Sequence, residues 1–247
     1  MTALANLFFA AAMTAMLAKT VLWGASQPCF MLREVVFQGE LKEVQRTDLE
    51  RALAGHIHKN FFAIDLKALC FAIEQVPWVR HAEIRRRWPF QLEVEIEEHT
   101  PVAFFGWERK RLINTYGEVF SAVAKKPPET SMPSLIGPEG FAQEMLEYYR
   151  QAEKLFLSIG RRPWTLVVSP RLALRMVLDD GMVVELGRQQ ARFPIQQRLE
   201  RFVEYYSRSI AAFSGRRPDI VDMRYPNGFA FLFRGRPPQA GENKGKS

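Results

Sequence analysis

The sequence predicts an α+β protein with a single N-terminal transmembrane helix, and three observations carry that prediction. Residues 2–18 hold no charged side chain. Residues 32–97 have the order strand, helix, helix, strand, strand, the content of a compact β-α-α-β-β unit. Residues 101–233 then alternate short strands with two longer amphipathic helices, as in a mixed α/β domain with a curved, mainly antiparallel sheet. At 47% hydrophobic and 25% charged over 247 residues, the chain has enough apolar surface to fold, which excludes a disordered protein.

The first element is the apolar run. After Lys19 it resumes through Val21, Leu22 and Trp23, so residues 3–24 reach roughly the ~30 Å of a hydrocarbon core. Lys19 is close enough to the far end to snorkel beside Trp23. A cleaved signal peptide ending near Ala25 is the rival reading. The length of the run and the lack of a basic segment before it favour an uncleaved anchor, residues 1–25. Charge counting, with Arg33 after the span and no cation before it, would put the body in the cytosol. That rule is weak for long domains.

In the first folded region, residues 32–39 read as a strand closed by Gly39. Thr47 is the expected N-cap of the next helix, with Glu50 at the capping-box position. Asp65 leads a second helix on which Leu66, Leu69, Ile73 and Val76 keep helical spacing, and Pro77 ends it. Residues 79–86 and 91–97 are strands joined by Trp88-Pro89-Phe90. In the second of them Leu92, Val94 and Ile96 face one way and Glu93, Glu95 and Glu97 the other.

In the second region a hairpin is expected around Thr115-Tyr116-Gly117, and a loop at Pro127-Pro128. A helix starting near Gly137-Pro138-Glu139 places Phe141, Met145, Tyr148, Ala152, Leu155 and Ile159 on one stripe, up to Gly160. Strands at 164–169, 172–178 and 182–186 follow, the last two joined at Asp180-Gly181. A helix from Pro194 to Phe213 carries Ile195, Leu199, Phe202, Tyr206 and Ile210. Strands at 219–225 and 229–233 flank Pro226-Asn227-Gly228, and residues 234–247 are an expected disordered tail.

The net charge of +7 first suggests nucleic acid, but its distribution argues otherwise. Setting aside Lys19, Arg234, Arg236, Lys244, Lys246 and Glu242 leaves 29 basic against 26 acidic residues, a net of +3 for the body. Arg85-Arg86-Arg87 could touch phosphate or lipid head groups, but three cations in a hairpin are more often a solvated face. No phosphate loop, His-Glu-x-x-His, paired-cysteine spacing or nucleophile elbow occurs in the sequence. His56 and His58 lack a second ligand pair, so no metal or cofactor is expected. Cys29 and Cys70 read as two buried thiols, with one disulfide between them possible only if the chain is exported.

Several runs together resemble the FtsQ/DivIB family of bacterial cell-division proteins with their POTRA domain. They are Leu-Arg-Glu-Val-Val-Phe-Gln-Gly ending at Gly39, Asn-Phe-Phe-Ala-Ile-Asp ending at Asp65, Val76-Pro77-Trp78-Val79, Arg86-Arg87-Trp88-Pro89 and Glu97. The resemblance continues through Asn114 to Phe120, Leu135 to Pro138, Ser169-Pro170-Arg171, Leu186-Gly187-Arg188, Arg201-Phe202 and Val221 to Ala230. It implies a POTRA domain at 32–100, a β domain at 101–233 and no enzymatic activity. It also implies a single-pass inner-membrane scaffold with its N-terminus in the cytoplasm and its bulk in the periplasm, at the division septum. The family's basic cytoplasmic segment is nearly absent here, a departure that bears on the start of the chain. Partners implied are FtsB and FtsL, with other division proteins at the POTRA domain. By position, the FtsB contact falls on Arg171, Tyr225, Asn227, Gly228 and Phe233. Tyr225 would be a flat anchor, Arg171 a fork for a carboxylate, and Gly228 a place of close backbone approach. Ordinary core packing for Tyr225 and Phe233, and a plain turn at Asn227-Gly228, is the competing reading of the residues alone.

Overall fold

The computed structural model describes residues 2–25, 31–39, 41–57, 61–122, 132–212, 217–226 and 228–233, with side chains in the first helix from 9 to 20. That helix, α1 (Thr2–Ala25), is 24 residues long. Among the described residues no helix is long and apolar enough to cross a membrane.

The chain divides into two compact units near His99. The first contains β1 (Glu34–Gln38), α2 (Arg46–Ala54), α3 (Leu66–Glu74), β2 (Val79–Arg87) and β3 (Gln91–Glu98). Its sheet has the order β1-β3-β2, with β1 parallel and β2 antiparallel to the central β3. The alternation in β3 holds, with Leu92, Val94 and Ile96 buried. α3 starts where the sequence indicates: Asp65 Oδ1 accepts from the Lys67 and Ala68 amides at 3.0 and 3.2 Å. The start of α2 differs from expectation. Gln45 is its N-cap without a side-chain bond, Thr47 lies inside the helix, and no capping box forms. The loop that leads into α2 is held from another strand. Glu98, at the end of β3, accepts from the Lys42, Glu43 and Val44 amides at 3.0, 3.1 and 3.0 Å.

The second unit is one nine-stranded sheet of order β12-β11-β10-β9-β8-β7-β4-β5-β6. Its strands are β4 (Pro101–Phe105), β5 (Arg111–Asn114), β6 (Val119–Phe120), β7 (Ser134–Ile136), β8 (Pro163–Val168), β9 (Ala173–Leu178), β10 (Val183–Arg188), β11 (Ile220–Asp222) and β12 (Ala230–Leu232). Five neighbouring pairs are antiparallel, while β4 with β7, β7 with β8 and β10 with β11 run parallel. α4 (Ala142–Leu157) and α5 (Ile195–Ala212) pack on this sheet and on each other. Their buried stripes meet strand residues such as Leu166, Met176 and Val184 in one core.

Two strands escaped the sequence reading, β4 and β7, both short runs without clean alternation. The buried face of α4 is wider than the expected stripe: Met145 and Ala152 are buried as read, Phe141, Tyr148, Leu155 and Ile159 pack half-buried against the core, and Ala142, Leu146, Tyr149 and Phe156 extend the buried face. The stripe of α5 matches expectation at Ile195, Leu199, Phe202 and Tyr206. Ile210 has no described side chain, and Phe213, Pro127-Pro128 and the tail lie outside the described residues. The hairpin at Thr115-Tyr116-Gly117 is built on Asn114, fully buried, whose Oδ1 accepts from the Tyr116 and Glu118 amides at 2.9 Å each. Gly117 has φ +85°, and a Cβ there would lie 2.7 Å from the Cα of Gln143, so no other residue fits.

Candidate partner-binding edge

A sheet edge invites a partner strand, because its outward N–H and C=O groups have no ladder of their own. The first unit manages its β2 edge with the helix beside it. Glu74 Oε1 accepts from the outward Ala82 amide at 3.2 Å and is 2.8 Å from His81 Nδ1. One turn earlier on α3, Cys70 takes the Ile84 amide. Cys70 carries a free thiol, which burial pushes above its ordinary pKa, the Ile84 bond pulling the other way. Cys29 lies outside the described residues.

At the far end of the large sheet the arrangement differs. β12 is the terminal strand, paired antiparallel to β11 with Ile220 opposite Leu232, Val221 opposite Phe231 and Asp222 opposite Ala230. Leu232 is 52% exposed and Tyr225, in the connection, 55%. Gly228 and Phe233 are half-buried, and Asn227 lies outside the described residues. Beneath the connection, Phe229 and Phe231 meet edge to face at 5.1 Å, and Phe229 packs on Tyr205 at 6.0 Å. They line a small apolar hollow with Met182, Phe202 and Met223. Tyr225 is too exposed for the core packing that competes with its reading as an anchor, while Phe233 is half-buried, and the core here is filled by Phe229 and Phe231.

Arg171 is exposed, in the tight turn between β8 and β9, where the Leu172 amide donates to the Ser169 carbonyl at 2.8 Å. Sheet register brings that turn to the end of the sheet where Tyr225 lies. Ala173 at the start of β9 pairs with Arg188 at the end of β10, and Glu185 of β10 with Asp222 at the end of β11. At ~4.8 Å per strand, β9 and β11 are roughly 10 Å apart.

Between them is a hollow of about 240 Å³ lined by Ala173, Gly187, Arg188, Gln190, Arg198 and Arg224, which sequence reasoning missed. Arg198 is 1% exposed and donates to the carbonyls of Leu186, Arg188 (2.8 Å) and Phe193 (2.7 Å), while its Nε has no partner. Burial lowers its pKa from the ordinary arginine value. The Phe193 ring is flanked by Arg198 at 4.8 Å and Arg201 at 4.6 Å, and Arg201 also donates to the Pro226 carbonyl beside Tyr225. Arg224 forms a two-pronged bond with Asp222 at 2.8 and 2.6 Å, which holds the Asp222 carboxyl below its usual range. The signal that could have found this cluster is Leu186-Gly187-Arg188. Gly187 has φ +72° at a bulge, and a Cβ there would sit 2.9 Å from Arg224 Cγ.

Among the described residues no group of three or more His, Cys, Asp or Glu could hold a metal ion. His56 is exposed and His58 lies outside the described residues.

A β-α-α-β-β unit followed by a large mixed sheet that ends in an exposed strand defines the class as a POTRA-containing α+β protein. The description "POTRA domain, FtsQ-type" matches residues 30–99, and "Cell division protein FtsQ/DivIB, C-terminal" matches 106–224. The latter includes Arg171 and stops one residue short of Tyr225. The chain is 36% identical over 91% of its length to "Cell division protein FtsQ" of Burkholderia pseudomallei, covering 88% of that protein. It is 33% identical to the Bordetella pertussis protein of the same name, covering 98% of this chain and 94% of that one. The chain belongs to the FtsQ/DivIB family of cell-division proteins.

Proposed function

We propose that this chain is a non-enzymatic division scaffold of the bacterial inner membrane that binds FtsB, and with it FtsL, by adding a partner strand to β12. In this reading residues 1–25 are a single-pass anchor with the N-terminus cytoplasmic. Residues 32–100 are a membrane-proximal POTRA domain that meets other division proteins, residues 101–233 a periplasmic β domain, and residues 234–247 a tail. The observation that carries it is the terminal position of β12, with an exposed tyrosine at its approach and Arg171 at the same sheet end. Tyr225 offers area at low conformational cost and Arg171 a fork for a carboxylate on the partner, while Asn227 and Gly228 shape the turn and Phe233 follows the strand.

The test is a pull-down of FtsB on the membrane-embedded full chain. Tyr225→Ala and Arg171→Glu are expected to leave the protein folded and to reduce retained FtsB at least tenfold, the scale of a central interface anchor. Undiminished retention by both variants would remove this edge as the binding site.

A further inference from the structure

Four aromatic side chains gather at the tip of the β2–β3 hairpin. Trp88 lies 6.2 Å from Phe90, Phe90 is edge-on to Phe61 at 5.7 Å, and Phe61 meets Phe62 at 5.3 Å. Phe61 is 3% exposed, yet Trp88 is 78% and Phe62 51% exposed, so half of the cluster faces outward. The patch is held in shape by Arg86, which donates to the carbonyls of Phe61, Phe62 and Ile64 at 3.3, 3.4 and 2.7 Å.

Cations surround it. Arg33 lies over the Phe90 ring at 5.7 Å and Arg86 over Phe61 at 5.8 Å. Arg87 is 59% exposed, with Glu93 at 3.9 Å, and Arg85 is bonded to Glu83 at 2.8 Å. Charge grades along the hairpin: Glu83 faces Glu95, then Arg85 faces Glu93, and at the tip Arg87 faces Gln91. Glu34 accepts from Gln91 at 3.0 Å beside the tip.

The tip is also where the chain arrives from α1, since the Arg33 amide donates to the Phe90 carbonyl at 2.9 Å. Seven residues separate Arg33 from Ala25, the end of α1, so the eight Cα steps between them reach at most about 28 Å.

We propose that this hairpin tip is a membrane-contact surface, with Trp88 and Phe62 at headgroup depth and Arg33 and Arg87 against the phosphates of anionic phospholipid. The inference rests on α1 being the anchor proposed above. An indole with an apolar body and a polar N–H suits the headgroup layer. Cations beside it are drawn to an anionic leaflet, each changing the contact equilibrium roughly fivefold. Bilayer contact would fix the first unit against the membrane and not leave it swinging on its linker.

The experiment uses the full-length chain in phosphatidylcholine/phosphatidylglycerol vesicles, with and without brominated phosphatidylcholine. The emission lost in Trp88→Phe reports Trp88, and that lost in Trp23→Phe reports the anchor. The expected result is a blue-shifted Trp88 component that brominated lipid quenches, with quenching diminished roughly fivefold per cation in Arg33→Glu and Arg87→Glu. A Trp88 component with water-like emission and no quenching, beside a quenched Trp23, would overturn the proposal and leave the anchor standing. An unquenched Trp23 would overturn the anchor, and the proposal with it.

Discussion

Arg198 shows how one side chain can fasten three segments without a salt bridge. It is buried on α5, and its hydrogen-bond acceptors are the carbonyls of Leu186 and Arg188 in β10 and of Phe193 in the turn before α5. Desolvating a guanidinium is costly, but removing it would orphan three carbonyls at about 1–3 kcal/mol each. Arg198→Ala is therefore expected to lower unfolding stability by about 3 kcal/mol in urea denaturation, while Arg192→Ala, at an exposed neighbour, is expected to change it by less than about 0.5 kcal/mol. Titration at two residues adds pH limits. Asp222, held low by Arg224, contributes stability that is present above the unfolded carboxyl value of about 3.9 and lost as pH falls through its folded value. Arg224 is 59% exposed, so that contribution is screened, and Asp222→Asn should flatten the acid limb below about pH 4 by under about 1 kcal/mol. Tyr149 behaves oppositely. Burial and then Glu153 hold its hydroxyl protonated above the ordinary tyrosine range, so the native state loses stability as pH rises past about 10. Tyr149→Phe should remove that alkaline loss, as followed by circular dichroism.

At the scale of elements, the POTRA unit was legible because β3 alternates cleanly and Asp65 caps α3 by local chemistry. The α2 helix was legible but its cap was not, since the loop leading into it is held by Glu98, more than fifty residues away, which no local pattern encodes. The wider buried face of α4 was also hidden. Tyr148 and Tyr149 are adjacent, as are Leu155 and Phe156, and helical spacing cannot choose between two apolar stripes that both satisfy it. β4 and β7 are read only from their partners, because short parallel strands carry no period of their own. The candidate site was half legible. Tyr225 and Arg171 came from a resemblance, whereas the hollow between them depends on a sheet register that unites residues 173, 187 and 224. The covered β2 edge makes a further prediction. In a Cys29→Ser background, Cys70 should alkylate more slowly than an unfolded thiol at neutral pH, because burial keeps it protonated and α3 holds it against Ile84. Glu74→Ala should quicken hydrogen exchange at the Ala82 amide that the carboxylate now holds.

For the molecule as a whole, the two units treat their sheet edges differently. The first turns helix side chains onto β2, and the second ends in β12 beside an exposed tyrosine. An edge held by its own helix is closed to strand addition, so the proposed FtsB contact falls to β12 and not to β2. Most of the net positive charge is carried by Lys19 and residues 234–247, which agrees with the proposed recognition by a strand and a few placed cations and not by a broad basic field. The most direct measurement is backbone hydrogen exchange of the membrane-embedded full chain with and without the periplasmic segment of FtsB. The account predicts that amides of residues 230–232 become protected when FtsB binds, while those of β2 are unchanged. FtsB bound with the exchange of residues 230–232 unaltered would contradict it.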